Sequence, residues 1–225
     1  MISDFKQIKG IFEETDQQLT NNIEIYIIGG AVLLYQGLKP ATKDIDVILP
    51  NKESYNTILK TFISLGFKRR EPTETYKEME VNVILEKDDF RFDLFLQKVF
   101  RKISLTDEMK NRAVQILTMK HLDVFLCSNE DVFIFKSMTE REGDLGDCIT
   151  LAKRGINWDI ILKEIQSQIK HSGEDVWITW VGERLDLMAK RGLNIPIMDQ
   201  IDKLRNTYFE ELGQKFLKKT KAKKR

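Results

Sequence analysis

Cysteine, histidine and proline are scarce in this sequence. Its 225 residues include two Cys, two His and four Pro. Two Cys cannot build a disulfide framework or a four-thiolate zinc site, and two His leave little for a histidine-rich metal centre. Hydrophobic residues make up 42% and charged residues 32%, which excludes a collagenous, low-complexity or disordered chain. We therefore expect an ordinary globular protein of a reducing, cytoplasmic compartment.

Long apolar runs are also absent. The longest uncharged stretch, residues 25–38, is too short to cross a bilayer and contains Gly29, Gly30 and Gly37. Residues 1–9 carry charges where an export signal needs an apolar segment. No membrane partner is expected.

The net charge of +1 conceals an uneven distribution. From Lys215 onward there are seven basic residues and no acidic ones, so subtracting them leaves −6 for residues 1–214. We predict that residues 218–225 form a separate, flexible basic tail. Such a tail either contacts RNA phosphates or is a solvated terminus.

The hydrophobic periodicity changes character at Cys127. Before it, short β-branched or alternating runs predict strands, which lie at 23–28, 44–49, 80–85, 90–96, 114–117 and 122–126. After it, a capping box at Ser128–Asp131 opens a region of helical periodicity only. The pattern predicts an α/β (α+β) fold, with a mixed β-sheet domain flanked by helices at 1–127 and an all-helical domain at 128–217.

A strand that ends at Gly29-Gly30 and is followed by a helix is the first candidate site feature. Two glycines let the backbone approach a bulky anion, and the unpaired N–H groups of the next turn bind phosphate oxygens. Glycine pairs also occur in turns with no ligand. This feature alone therefore leaves both interpretations open.

Three carboxylates are the second feature. Asp44 and Asp46 lie two residues apart, so they project from one face of a strand about 6.6 Å apart, a spacing at which they can share divalent cations. Asp93 lies in a very apolar strand, where a carboxylate must be paired or metal-bound. If the two strands are neighbours, the three carboxylates converge. The alternatives are solvated acids at 44 and 46, and a Lys or Arg partner for Asp93.

This combination resembles the polymerase-β-like nucleotidyltransferase superfamily, in particular its minimal prokaryotic branch, similar to the abortive-infection (toxin-like) nucleotidyltransferases. The resemblance rests on the segments IYIIGGAVLLYQGLKPATKDIDVIL and RFDLFL. It implies that three catalytic carboxylates hold two Mg²⁺ ions, with Mn²⁺ as an alternative: Asp44, Asp46 and Asp93. It also implies that a nucleoside triphosphate is bound by Thr42 and by the turn at Gly29 and Gly30.

The chain departs from this branch at two positions. Gly143 stands where the family usually has Lys before the residue equivalent to Asp144, and the other departure precedes Thr42. The branch often has Arg two residues before the Thr, where this chain has Pro40, and Lys39 is the candidate substitute. The segment from Ser128 to Asp147 is similar to the one that follows the core in the toxin-like enzymes. By that similarity the nucleotide is also contacted by Lys136, Arg141 and Asp144. The alternative for Lys136 is a solvated helix face with an ion pair to Glu140.

The resemblance implies a metal-dependent, NTP-dependent nucleotidyltransferase. It would move a nucleoside monophosphate from an NTP to a hydroxyl acceptor on an RNA end, a protein or a small molecule, and release pyrophosphate. The expected partners are the NTP, RNA held by the basic tail, and a cognate antitoxin. The alternative is a catalytically inactive module of the same fold that binds nucleotide or RNA. A phosphatase of the haloacid-dehalogenase type is disfavoured, because the apolar residues follow Asp44 instead of preceding it.

Overall fold

The computed structural model describes residues 1–70, 83–99, 103–172 and 176–222, with the side chains of 171–172 and 216–222 left out. The chain divides into two compact units, Met1–Lys136 and Ser137–Arg225. The described part of the first unit contains a mixed β-sheet with helices, and that of the second contains helices. The predicted fold class is confirmed.

The first unit alternates helices and strands. Its helices are α1 (Phe5–Gln18), α2 (Gly30–Tyr35), α3 (Lys52–Ser64), α4 (Asp107–Arg112) and α5 (Asn129–Lys136). Its strands are β1 (Ile23–Ile28), β2 (Ile45–Leu49), β3 (Lys68–Arg70), β4 (Val83–Lys87), β5 (Phe90–Leu96), β6 (Lys98–Val99), β7 (Ile103–Ser104), β8 (Val114–Thr118) and β9 (Leu122–Leu126). The predicted strand at 80–85 begins outside the described residues and extends to Lys87.

The sheet order is β3-β4-β5-β2-β1-β9-β8, and β6 pairs separately with β7. Strand β2 runs antiparallel to β1 and parallel to β5. The two strands that carry the acidic residues are therefore neighbours, which is the condition on which convergence of the carboxylates depends. Strand β1 lies between β2 and β9, so the Gly29-Gly30 turn lies at the end of an interior strand of the sheet.

One face of the sheet is covered by aromatic packing. Phe12 of α1, Phe62 of α3 and Phe67 contact Phe92 of β5, with ring centroids 4.8–6.0 Å apart. Phe92 is opposite Ile45 in the register of β5 with β2, and both side chains are fully buried. Because successive residues of a strand point to opposite faces, the next residue on each strand faces away from this cluster. Those next residues are Asp93 on β5 and Asp46 on β2.

Helix α5 belongs to the first unit, although the sequence pattern places the helical domain from residue 128 onward. The Ser128 cap expected from the sequence is present, since the Asp131 N–H donates to Ser128 Oγ at 3.2 Å, and Ser128 Oγ in turn donates to the Asp131 carboxylate at 2.7 Å. The Asp131 carboxylate also accepts from Arg112 of α4 at 2.6 Å and is fully buried. This buried ion pair ties α5 to the first unit, so the division of the chain lies after Lys136.

The second unit contains α6 (Glu142–Arg154), α7 (Trp158–Ser172), α8 (Trp177–Lys190) and α9 (Met198–Ala222). Its core includes the fully buried Trp177, Leu185 and Met188 on one side of α8. The backbone of α9 is helical through Ala222, so residues 218–222 of the predicted flexible tail continue a helix. None of the helices in the described residues is long and apolar enough to cross a membrane.

Candidate functional site

Two of the three predicted carboxylates lie side by side. In the parallel register of β2 with β5, Asp46 is opposite Asp93, on strands about 4.8 Å apart. Asp44 directly precedes the first residue of β2 and is partly exposed, as is Asp46. The sheet thus brings Asp46 and Asp93 together and places Asp44 at the entrance to the same strand.

Asp93 is buried and neutralised by an arginine. Its side chain is 1% exposed, and both carboxylate oxygens accept hydrogen bonds from Arg91, at 2.8 Å from Nε and 2.9 Å from a terminal nitrogen. The Lys or Arg partner left open as an alternative for Asp93 is therefore present. The sequence carried a signal for it, since Arg91 lies two residues before Asp93 and alternate strand residues share a face.

Gly29 is required by the position of Asp46. Its φ is +71°, a conformation that side chains other than glycine rarely adopt, and a Cβ built there would lie 2.0 Å from Asp46 Oδ2. The glycine was predicted to leave room for a phosphate. In this structure the carboxylate of Asp46 is what comes closest to that space.

Gly30, Thr42 and Lys39 form a second close group at the same turn. A Cβ at Gly30 would lie 2.6 Å from Thr42 Oγ1 and 3.9 Å from Lys39 Nζ. Thr42 is buried, its Oγ1 donates to the Asp44 carbonyl at 3.0 Å, and its backbone pairs with Ile2. Thr42 therefore fixes the segment that leads into β2. The ammonium of Lys39 lies by the glycine turn, where a basic residue was expected in place of the missing arginine.

The three other predicted nucleotide contacts are divided between the units. Lys136 is the last residue of α5 in the first unit and is 6% exposed. The helix is buried along this stretch, so the alternative of a solvated helix face is wrong. Arg141 and Asp144 lie in the second unit. Their roles in nucleotide binding stay predictions.

Asp144 has a local structural role in the second unit. Its Oδ2 accepts hydrogen bonds from Thr139 Oγ1 and Arg141 Nε, each at 2.6 Å, and its side chain is almost fully buried. The carbonyl of Arg141 in turn accepts a hydrogen bond from Arg184 at 2.7 Å. These contacts secure the first turn of α6, where an acidic side chain also interacts favourably with the helix dipole.

Cysteine chemistry is not supported at this site. Cys127 and Cys148 are both buried, and burial raises the pKa of the Cys127 thiol well above its ordinary value. A thiolate nucleophile needs the opposite shift. His121 lies in the turn between β8 and β9, where its backbone N–H donates to Asp16 Oδ1 at 2.7 Å.

The donor set suits a divalent cation of the magnesium type. The candidate ligands are carboxylate oxygens, which hard cations prefer, and buried Asp93 already requires a positive charge that Arg91 supplies. Among the described residues, no group of three or more His, Cys, Asp or Glu side chains has an arrangement that could hold a metal ion. The residue types and the backbone register therefore fit the predicted metal site, whereas the side chain of Asp93 is turned to Arg91.

Residues 6–178, about three quarters of the chain, match the family described as "Nucleotidyltransferase of unknown function (DUF6036)". The chain belongs to this family. Membership confirms the predicted resemblance to nucleotidyltransferases and supports a transferase that moves nucleotidyl groups.

Comparison with curated proteins finds no match for the sequence. Among solved structures, the nucleotidyltransferase chain is similar to that of ANT(2")-Ia in complex with adenylyl-2"-tobramycin, at 13% identity and a TM-score of 0.49. The similarity covers 73% of this chain and 96% of the other.

Proposed function

We propose that this nucleotidyltransferase is metal-dependent and transfers a nucleoside monophosphate from an NTP to a hydroxyl acceptor, with pyrophosphate as the leaving group. The observation that carries the proposal is the parallel register that sets Asp46 beside Asp93, next to the Gly29 turn. Two adjacent carboxylates on one sheet face are unfavourable without a cation. A site of this kind is suited to binding cations together with phosphates.

Asp44, Asp46 and Asp93 would hold two Mg²⁺ or Mn²⁺ ions, which when bound neutralise the carboxylates and polarise the α-phosphate. Gly29 leaves the space that the Asp46 carboxylate needs for this orientation. Asp93 is also the candidate base for the proton of the acceptor hydroxyl, once its carboxylate is released from Arg91.

The triphosphate would bind at the turn around Gly30. Lys39 brings a positive charge to this turn, and Thr42 holds the backbone that follows it. By family resemblance Lys136 adds a second cation from the end of α5. A lysine ammonium acts on phosphates as a point charge. Each lysine should therefore contribute more to the binding of a triphosphate than to the binding of a monophosphate.

One observation favours the alternative of a catalytically inactive binding module. Both oxygens of Asp93 are engaged by Arg91, as expected of a carboxylate kept for structure. A module of this kind would bind nucleotide without turnover. Transfer of label from an NTP separates the two functions directly.

The decisive experiment incubates the purified protein with each α-labelled NTP and Mg²⁺ or Mn²⁺, in the presence of total RNA, total protein or small hydroxyl compounds. We expect one acceptor class to gain label, and Asp46→Asn to lose transfer by more than about a hundredfold. Asp123→Asn, which removes a carboxylate from β9 of the same sheet, is the matched control and should keep it. Nucleotide binding without labelled product from any class would identify the inactive module.

RNA is the acceptor that the charge distribution supports. The basic residues after Lys215 can add sequence-independent phosphate contacts. If RNA is the acceptor, deletion of residues 218–225 should raise KM for RNA and flatten its salt dependence, with kcat nearly unchanged. A cognate antitoxin is proposed from the family resemblance alone. Equal KM and salt slope in both proteins would exclude the tail from RNA binding.

A further inference from the structure

On the sheet face that carries the aspartates, one row of residues across β3, β4 and β5 has charges of alternating sign. Lys68 of β3 is opposite Glu86 of β4, and Glu86 is opposite Arg91 of β5. Glu86 Oε2 also accepts a hydrogen bond from Arg70 Nε at 2.8 Å. In the next row on this face, two residues along β5, Asp93 is opposite Asp46 of β2 and Ile84 of β4. Two negative charges are therefore adjacent in this row, in contrast to the alternating charges of the row before it.

Arg91 compensates for the two adjacent negative charges. Like charges directly opposite each other destabilise a sheet, and a buried carboxylate without a counter-charge is costly. The guanidinium of Arg91 reaches along its own strand to both oxygens of Asp93, and its side chain is 21% exposed. It is thus close to solvent, whereas the carboxylate that it neutralises is buried.

We propose that Arg91 is a resident counter-ion, which a divalent cation must displace from Asp93 in order to bind. The inference rests on the proposed function, because it takes Asp46 and Asp93 as cation ligands. A guanidinium that donates to both oxygens of Asp93 competes with a cation for the same lone pairs and repels it. The partly exposed Arg91 can be released toward water, so the exchange does not require the sheet to open.

The consequence is a lowered affinity of the free protein for metal. When metal binds, Asp93 exchanges the Arg91 guanidinium for the cation. The free energy needed to break the Arg91 contact therefore makes the net free energy of metal binding less favourable. The ion pair keeps the aspartate pair compatible with folding before the cation arrives. Removing Arg91 should therefore weaken the metal-free fold and strengthen metal binding in the same variant.

The test measures Mn²⁺ binding to the full-length protein by calorimetry, without nucleotide or acceptor. Arg91→Gln should bind Mn²⁺ about tenfold more tightly than the wild type. Its thermal midpoint should be lower without Mn²⁺ and should rise more on addition of saturating Mn²⁺. A role in folding alone would lower the midpoint without tightening the binding.

Arg70→Gln is the matched control, because it removes the same charge from the same sheet face. Arg70 bonds Glu86, and its side chain is 62% exposed, so its loss should change the Mn²⁺ dissociation constant by less than about twofold. If Arg91→Gln does not fold without cation, Arg91→Lys replaces it. Lysine keeps the charge without the two parallel hydrogen bonds, and we expect about threefold tighter binding than in the wild type.

Mn²⁺ affinity that is unchanged or weaker in these Arg91 variants, or equally tightened in Arg70→Gln, overturns the inference. Asp46→Asn separates this result from a failure of the proposed function. If Asp46→Asn loses Mn²⁺ binding while the Arg91 variants bind as the wild type does, the metal site stands and only the counter-ion role is wrong. If Asp46→Asn binds Mn²⁺ normally, or no variant binds it, the metal site is wrong and the inference falls with it.

Discussion

Two buried aspartates of the first unit have similar partners and different surroundings. Asp93 in β5 and Asp131 in α5 are 1% and 0% exposed, and each is bonded through two nitrogens of an arginine. Asp131 also accepts a hydrogen bond from Ser128 Oγ at 2.7 Å and begins a helix. Asp93 instead has a second carboxylate beside it.

The two ion pairs differ in what surrounds them. At Asp131 each contact joins parts of the fold, namely α4, the Ser128 cap and the first turn of α5. At Asp93 the arginine comes from the same strand, two residues away, and a second carboxylate lies opposite on β2. We propose that this second pair serves cation binding.

The largest effect is expected from a substitution that displaces the Asp46 carboxylate from its position beside Gly29. Gly29→Ala places a Cβ 2.0 Å from Asp46 Oδ2 at φ +71°. We expect the free energy of unfolding to fall by about 3–5 kcal/mol and nucleotidyl transfer to be lost. Chemical denaturation and the labelled-NTP assay measure the two effects.

Gly10→Ala is the control for this substitution. Gly10 lies inside α1, with nothing within 4 Å of an added Cβ, so the change should raise stability by about 0.5–1 kcal/mol. Transfer should be unaffected. Wild-type transfer by Gly29→Ala would show that the orientation of Asp46 is not needed for the reaction.

Neutralising Asp131 and Asp93 in separate variants should change the response of stability to Mn²⁺ in different ways. Asp131→Asn should lower the free energy of unfolding by about 2–3 kcal/mol, since it leaves Arg112 without its charged partner and weakens the cap of α5. Saturating Mn²⁺ should stabilise this variant as much as it stabilises the wild type. Asp93→Asn should lose the stabilisation by Mn²⁺ altogether. The same response to Mn²⁺ in both variants would remove the distinction between the two aspartates.

The smallest effect is expected at Tyr55, a buried polar group of another kind. Its hydroxyl has no hydrogen-bond partner among the described residues, and burial raises its pKa to about 12. The unfolded chain loses this proton near pH 10 and the folded chain does not, so stability falls between pH 10 and pH 12. Tyr55→Phe should leave stability at pH 7 within about 1 kcal/mol of the wild type and flatten this fall. Unfolding curves measured from pH 8 to pH 12 provide the check.

Local patterns in the sequence predicted most of the elements around the site. Strand β1 and the cap of α5 by Ser128 lie where the pattern places them. Periodicity and capping depend on neighbours a few residues apart, so they can be recognised without the fold. Strand β3 was not predicted, because its three residues are exposed and basic and pair only at the sheet edge.

The residue types of the site can be recognised in the sequence: glycines after a strand, an Asp-x-Asp pair, and a further aspartate in an apolar strand. That β5 lies parallel to β2 with Asp93 opposite Asp46 is known from the fold, because this pairing joins residues 47 positions apart. The fold also shows that α5 packs with the first unit, through Arg112 and Asp131. Whether a buried charge is met by a side chain or left for a cation depends on which neighbours the folded sheet brings within hydrogen-bond distance, and no local pattern contains that information.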